Sequence, residues 1–294
     1  MEAEYTSGKR MRQKKTRMTT TNSKLTLLRR QLRNTGGLAI AFSGGVDSTF
    51  LAAVAKQELG DRAIAVTALS PTYPAHEQND AAKIAKLLRI KHVIVESNEL
   101  DIPGFAENPE NRCYFCKREL FKVVRRIAAH YGIKKIADGS NADDLSDYRP
   151  GRKAVKESGT LSPLLDAGLT KSEIRSLSRK MKLPTADKPA FACLASRFPY
   201  GSKITEEKLN AIDAVETVLR KLGFTQIRVR HHGDVARIEI LPAEMKKMLN
   251  ATVSDKVVQA AKKAGFLYVS LDLEGYRTGS MNAMLKARRD QNHD

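Results

Sequence analysis

Cysteine is scarce, with three in 294 residues. That count rules out a disulfide framework and an all-cysteine tetrahedral zinc site, which takes four ligands. Aromatic residues make up only 6%, and no aromatic-rich nucleic-acid motif interleaves with the basic residues. No apolar run approaches the ~20 residues that span a bilayer. The opening "MEAEYTSGKRMRQKKTRMTTTNSK" has charge but no apolar h-region, so it does not read as a secretory signal. Internal repeats are absent. These absences predict a cytoplasmic protein with no membrane partner, where thiols stay reduced unless metal or redox chemistry uses them.

What is present is a hydrophobic fraction of 41%, enough for a buried core. Net charge is +18, from 51 basic and 33 acidic residues. Through residue 34 there are ten Lys or Arg against two Glu, so that stretch supplies +8 and the body carries the remaining +10. Such a charge favours anionic ligands. A basic tail on a body that handles phosphorylated small molecules and an RNA-binding surface both fit it.

Residues 1–22 read as a flexible basic arm, followed by a short basic helix in "SKLTLLRRQLRN". "GGLAIAFSGG" reads as a buried strand, "VDSTFLAAVAKQELG" as a helix stopped by Gly60, and "RAIAVTALS" as a second strand. "PAHEQNDAAKIAKLLRI" is helical, "KHVIVES" a third strand, and a helix runs from about Cys113 to Tyr131. "KKIADGS" is a fourth strand and "GTLSPLL" a candidate fifth. The alternation predicts a doubly wound α/β domain with a parallel sheet over residues 23–200. A smaller α+β domain follows over 201–285, with the order α-β-β-α-β, ferredoxin-like at coarse resolution, and a frayed tail over 286–294. Within it, "TQIRVRHHGDVARIEIL" reads as a hairpin turning at His232-Gly233-Asp234.

The strongest signal is "AFSGGVDSTFL". A strand ends at Phe42, the chain turns through Ser43, Gly44 and Gly45, and a helix begins near Val46. Glycines let backbone approach a phosphate, and amides at a helix start favour anions. Ser43 and Ser48 add hydroxyls, and Asp47 can help hold Mg2+. The G-x-x-x-x-G-K-[ST] spacing and its lysine are missing, so this is no Walker A loop. The shorter loop suits a pyrophosphate that departs whole while AMP is transferred. S-G-G-x-D-S resembles the PP-loop of the ATP pyrophosphatases, which include GMP, NAD and asparagine synthetases and tRNA thiolases.

"DGSNADDLSDYRPGR" follows the fourth strand, where α/β sheets place ligand loops. It offers Asp143, Asp144 and Asp147 for magnesium and Arg149 for an anionic substrate. An Asx-rich capping turn is the bland alternative. With "KPAFACLASRFPYG" at the domain junction, these stretches resemble the LarE-type sulfur transferases over about residues 22–280. The resemblance implies ATP-dependent adenylation of a pyridinium carboxylate on a nicotinate-derived mononucleotide, then conversion to a thiocarboxylate, toward a nickel-pincer nucleotide. It also implies a homo-oligomer, hexameric in similar members. It makes Cys193 of C-L-A-S-R the sulfur-handling residue, with Ser196 and Arg197 near the substrate. Some members sacrifice one cysteine to dehydroalanine, whereas others carry three cysteines and a 4Fe-4S cluster, the closer match.

Cys113 and Cys116, in "RCYFCKREL", lie three apart near a helix start and share one face. The helix N-terminus with Arg112, Lys117 and Arg118 predicts thiolates there. Cys193 completes a three-thiolate set if the junction loop folds over that helix. His130 lies about 21 Å along the helix from Cys116 and cannot join, which leaves His76 as the remaining histidine candidate for a zinc site. A cluster, a C-x-x-C redox pair beside a sacrificial Cys193, and inert packing are the three readings. In the second domain, "RVRHHGDVARIEI" offers Arg228, Arg230, His231 and Arg237 to a substrate phosphate and Glu239 to a metal. A solvated strand face on a basic protein is the alternative. The rival functions are a PP-loop tRNA thiolase and a nucleotide-responsive iron-sulfur sensor without turnover. The sulfur donor is not readable from the sequence.

Overall fold

The computed structural model describes residues 20–145, 151–189, 192–277 and 280. Helix α1 (Thr21–Thr35) starts at a Thr20 cap and stops at Gly36, whose φ of 64° only glycine adopts without strain. Strand β1 (Leu38–Ala41), helix α2 (Val46–Leu59), strand β2 (Ala63–Leu69), helix α3 (Ala75–Leu87) and strand β3 (Lys91–Glu96) follow in βαβ order. Helix α4 (Arg112–His130) then leads to the two-residue strand β4 (Ile136–Ala137). The sheet order is β3-β2-β1-β4 and every pairing is parallel.

Alternation along the strands divides the core between the two faces. Leu38 and Ile40 of β1 and Ala63 and Ala65 of β2 enter one cluster, with Leu28, Phe50, Leu51 and Ile174. Ala39, Ile64 and Val66 point the other way, onto Phe121 and Val124 of α4. Both faces are therefore covered by helices, as parallel sheets require. β1 and β4 are neighbours in the sheet but far apart in sequence, so the chain reverses its winding between them. The loops that leave β1 and β4 flank that switch point, where such sheets bind ligands. The candidate fifth strand contributes only one parallel bridge, Ala137 to Leu161, because Pro163 starts a helix two residues later.

Short helices α5 (Gly151–Glu157) and α6 (Pro163–Asp166) and then α7 (Lys171–Lys180) complete this part. Beyond it, α8 (Glu206–Lys221), β5 (Ile227–His232), β6 (Val235–Ile240), α9 (Met245–Met248), α10 (Ala251–Lys263) and β7 (Tyr268–Leu271) form an α+β unit. The hairpin has its two-residue turn at Gly233-Asp234, with φ of 60° at Gly233. β7 lies parallel beside β6 in the order β5-β6-β7, since α10 crosses over between them. The coarse ferredoxin-like reading does not hold, because that fold interleaves four antiparallel strands. The core of this unit joins Leu209, Ile212, Val229 and Ile238 to Phe105, Leu194 and Phe198 from the junction. Among the described residues, no helix is long and apolar enough to cross a membrane.

Candidate active site

The glycine loop leaves β1 with Phe42 still donating to the Val66 carbonyl at 2.8 Å. Gly44 has φ of 67°, and a Cβ there would stand 3.0 Å from Ala81 Cα in α3. Gly45 has ordinary backbone, and a Cβ there would meet nothing nearer than Ser43 Oγ at 3.4 Å. The loop is closed on itself: Ser43 N–H donates to Ser48 Oγ at 3.3 Å, and Ser48 Oγ donates to the Gly45 carbonyl at 3.2 Å. No side chain caps the start of α2, so its first amides stay directed into the loop. Gly139, after β4, closes the other wall, where a Cβ would sit 3.1 Å from the Ser48 nitrogen.

Asp47 lies in this cradle with Lys171 Nζ 2.5 Å from Oδ2, while Oδ1 is buried without a partner. Burial pushes the Asp47 carboxyl above the usual aspartate range. Lys171 opposes that shift and the charge of Asp144 adds to it. Lys171 begins α7, whose Thr170–Glu173 capping box fixes the helix start. Its backbone N–H donates to Asp143 Oδ2 at 2.9 Å, and Asn141 N–H donates to Asp144 Oδ2 at 3.0 Å. Asp143 thus meets the start of α7 beside Lys171, and the Asp144 charge bears on Asp47. Asp147 and Arg149 lie outside the described residues. Lys171 escaped the sequence reading because it is 124 residues from Asp47 and only the sheet topology joins them.

The structure places Cys113 and Cys116 in the first turns of α4 and Cys193 close enough to bear on both electrostatically. The predicted thiolates are not found in the chain as it stands. Cys113 keeps exposed surface, yet desolvation by the protein around its sulfur raises the thiol, with the Cys193 charge next, against Arg112 and Lys117. Burial pushes Cys116 up further, helped by Glu99, whose Oε1 accepts from its Sγ at 3.7 Å. Desolvation of a thiol at a packed domain junction exceeds what two flanking cations and a helix end return. No three His, Cys, Asp or Glu side chains converge on one metal-ion position among the described residues. His76 lies instead against Glu77, 3.6 Å away.

Cys193 is followed by a single 3-10 turn, Leu194–Arg197, which fixes the C-L-A-S-R segment. Leu194 N–H donates to the Thr72 carbonyl at 2.9 Å, and Ser196 Oγ donates to the Cys193 carbonyl at 2.8 Å. Arg197 is 1% exposed. Its Nε and Nη2 hold both oxygens of Glu216 on α8 at 2.9 and 3.0 Å, and its Nη1 donates to the Cys193 carbonyl at 3.0 Å.

On the C-terminal sheet, pairing puts Arg228 opposite Glu239 and Arg230 opposite Arg237, all on one face. Glu239 is fully buried, and its oxygens take Arg230 Nη2 at 2.7 Å, Arg237 Nη2 at 3.0 Å and the Ser280 hydroxyl at 3.1 Å. That carboxylate is already saturated by two guanidiniums, which leaves little of it for a metal. Arg230 also donates to the Ser196 carbonyl at 2.9 Å, which ties this face to C-L-A-S-R. Burial lowers the pKa of Arg228 to about 10, with Arg197 adding to the effect. His231 turns to the opposite face, stacked on Phe198 at 5.2 Å. His232 instead shares the face of the arginines, and strand alternation alone points to it.

A parallel sheet whose switch point carries an S-G-G-x-D-S loop with a walled helix start is an ATP pyrophosphatase-type α/β architecture. The asparagine synthase family matches residues 27–108, the span from α1 through the loop to β3 and beyond. The chain is 46% identical to an uncharacterized protein of Synechocystis sp., over 90% of this chain and 98% of that one. It is 35% identical to the pyridinium-3,5-bisthiocarboxylic acid mononucleotide synthase of Lactiplantibacillus plantarum, over 91% of this chain and 97% of that one. A tRNA-specific 2-thiouridylase of Caldicellulosiruptor saccharolyticus is 28% identical over 57% of this chain. The chain belongs to the LarE family, that of the pyridinium-3,5-bisthiocarboxylic acid mononucleotide synthases.

Proposed function

We propose that this chain is an ATP-dependent sulfur transferase that turns a carboxylate of a pyridinium mononucleotide into a thiocarboxylate, in the synthesis of a nickel-pincer nucleotide. The observation that carries the reading is the placement of an anion cradle and three thiols around one junction. Thr72 and Tyr73 touch both: the Tyr73 hydroxyl donates to the Ser43 carbonyl, and the Thr72 carbonyl accepts from the Leu194 N–H. The family membership supplies the substrate class.

In the first half-reaction a substrate carboxylate oxygen attacks the α-phosphorus of ATP. The bond to the bridging oxygen breaks and pyrophosphate leaves into the loop of Ser43, Gly44, Gly45, Asp47 and Ser48. Lys171 supplies the cation that the loop lacks, and Asp47, Asp143 and Asp144 would hold a magnesium ion, which would offset the charge of the phosphates. Asp147 and Arg149, which follow Asp143 and Asp144 in sequence, are proposed for magnesium and for an anionic substrate respectively. In the second half-reaction sulfur attacks the acyl carbonyl and AMP leaves with the electron pair. Arg228, Arg230 and Arg237 hold the substrate phosphate, which can take Glu239's place between the guanidiniums. Ser196 and Arg197 fix the Cys193 backbone.

Cys113, Cys116 and Cys193 would hold a 4Fe-4S cluster. What supports this reading is the grouping of the three thiols, since Cys193 bears electrostatically on both Cys113 and Cys116. Bound there, it would supply iron able to carry inorganic sulfide to the activated carboxylate. The test is incubation of the purified chain with ATP, magnesium, sulfide and the pyridinium carboxylate mononucleotide. AMP, pyrophosphate and thiocarboxylate should appear in equal amounts by mass spectrometry. Sulfur found on uridine of added tRNA, with none on the mononucleotide, would replace this reading by that of a tRNA thiolase.

A further inference from the structure

The segment between β2 and α3 carries buried polar groups that neither half-reaction uses. The Tyr73 hydroxyl donates at 2.5 Å to the carbonyl of Ser43, the residue that opens the glycine loop. One residue back, the Thr72 carbonyl accepts the N–H that directly follows Cys193. The Thr72 hydroxyl donates to Glu99 Oε2 at 3.3 Å, and the Cys116 thiol lies 3.7 Å from Glu99 Oε1. Through Tyr73 and Thr72 these bonds link the backbone of the glycine loop to the Cys116 thiol and to the backbone that follows Cys193.

Packing does not explain Glu99. It is 8% exposed, and no ion pair to it is found among the described residues. Burying a carboxylate away from any counter-ion is costly, and an uncharged side chain of similar size would fill the space at less expense. What a carboxylate does there is accept from two sides at once. The Thr72 hydroxyl donates to one of its oxygens and the Cys116 thiol to the other. That fixes the direction of the Cys116 S–H bond and leaves the sulfur lone pairs facing elsewhere. Leu100 and Ile102, on either side of the next turn, anchor Glu99 to the same apolar cluster against which Cys116 and Cys193 pack.

We infer that Thr72 and Glu99 are positioning residues for the sulfur-handling thiols, and that Tyr73 ties their geometry to the occupancy of the glycine loop. The inference rests on the proposed role of those thiols, yet its test needs no turnover. The reduced, metal-free full chain is labelled with iodoacetamide, and rates at Cys116 and Cys193 are read by peptide mass spectrometry with and without Mg-ATP. Thr72→Ser keeps the hydroxyl and should label as wild type does. Thr72→Val and Glu99→Gln should label Cys116 about tenfold faster, the effect of one lost hydrogen bond to a charged group. Wild type should change its Cys193 rate when Mg-ATP binds, and Tyr73→Phe should lose that response while its resting Cys116 rate stays unchanged. Equal labelling of Thr72→Ser and Thr72→Val, or an ATP response as large in Tyr73→Phe as in wild type, overturns the inference. Labelling as described in a chain that releases no pyrophosphate leaves it standing and refutes the enzymatic role instead.

Discussion

Asp47 shows how much depends on single side chains. Its carboxyl is held above the usual aspartate range by burial against the pull of Lys171. Such a group adds to stability below its unfolded pKa, and that contribution is lost as pH rises through the folded one. Asp47→Asn should therefore raise the melting temperature near neutral pH while abolishing pyrophosphate release, both measurable on one preparation. Binding of Mg-ATP needs the ionised form, so affinity should climb with pH through the raised midpoint. Lys171→Met removes the cation that lowers that midpoint. Its binding profile, followed by calorimetry, should move to higher pH, and its pyrophosphate release should fall by about 100-fold. A profile unmoved by Lys171→Met would separate the two residues functionally.

Among the elements, the turn after β1 divides its two glycines between fold and chemistry. Gly44→Ala puts a Cβ against Ala81 in a left-handed backbone and should cost about 1–3 kcal/mol in a denaturant titration. Gly45→Val has room in the chain itself, so it should fold normally and still lose pyrophosphate release, since the added methyls stand where phosphate must approach. The C-L-A-S-R turn depends on α8 in a different way. Burial alone would raise Glu216, but Arg197 holds it below the ordinary glutamate value. The stability this pair adds is present above the unfolded glutamate pKa and is lost as pH falls through the folded one. Arg197→Met should cost about 3 kcal/mol by leaving Glu216 buried with the Val229 N–H and the more distant Arg220 and Arg228, and Arg197→Met with Glu216→Leu should regain much of it. These elements were legible in the sequence where the pattern is local. The S-G-G-x-D-S turn, the βα alternation and the His232-Gly233-Asp234 hairpin all lie within one short stretch. The position of β7 beside β6 was not legible, because an order of elements does not state which edge a strand joins. His231 and His232 differ only in strand parity, and a reading by residue type alone chooses between them blindly.

At the scale of the whole molecule, the site is assembled from segments that only the fold brings together. Lys171 meets Asp47, Thr72 meets Leu194, and Arg230 reaches the Ser196 carbonyl across the junction. None of these pairs leaves a trace in local sequence, which is why the motifs were found and their partners were not. The sequence proposes Cys113, Cys116 and Cys193 as one group, and the fold puts the Cys193 charge within reach of the other two. The raised thiols of Cys113 and Cys116 were not legible, because desolvation is a property of the finished junction. If they hold a cluster together, Cys113→Ala, Cys116→Ala and Cys193→Ala should each lose most bound iron under anaerobic preparation and still bind ATP. Should Cys193 be sacrificed instead, used wild-type protein would be about 34 Da lighter at that residue, the mass of lost hydrogen sulfide. The central claim is that one junction houses two separable half-reactions, adenylation at the glycine loop and sulfur transfer at the thiols. The most direct measurement follows pyrophosphate and thiocarboxylate together in Cys193→Ala supplied with ATP, magnesium, sulfide and the pyridinium carboxylate mononucleotide. Pyrophosphate released at the wild-type initial rate with no thiocarboxylate formed is the predicted result. Thiocarboxylate still formed at the wild-type rate, or no pyrophosphate from either protein, would contradict it.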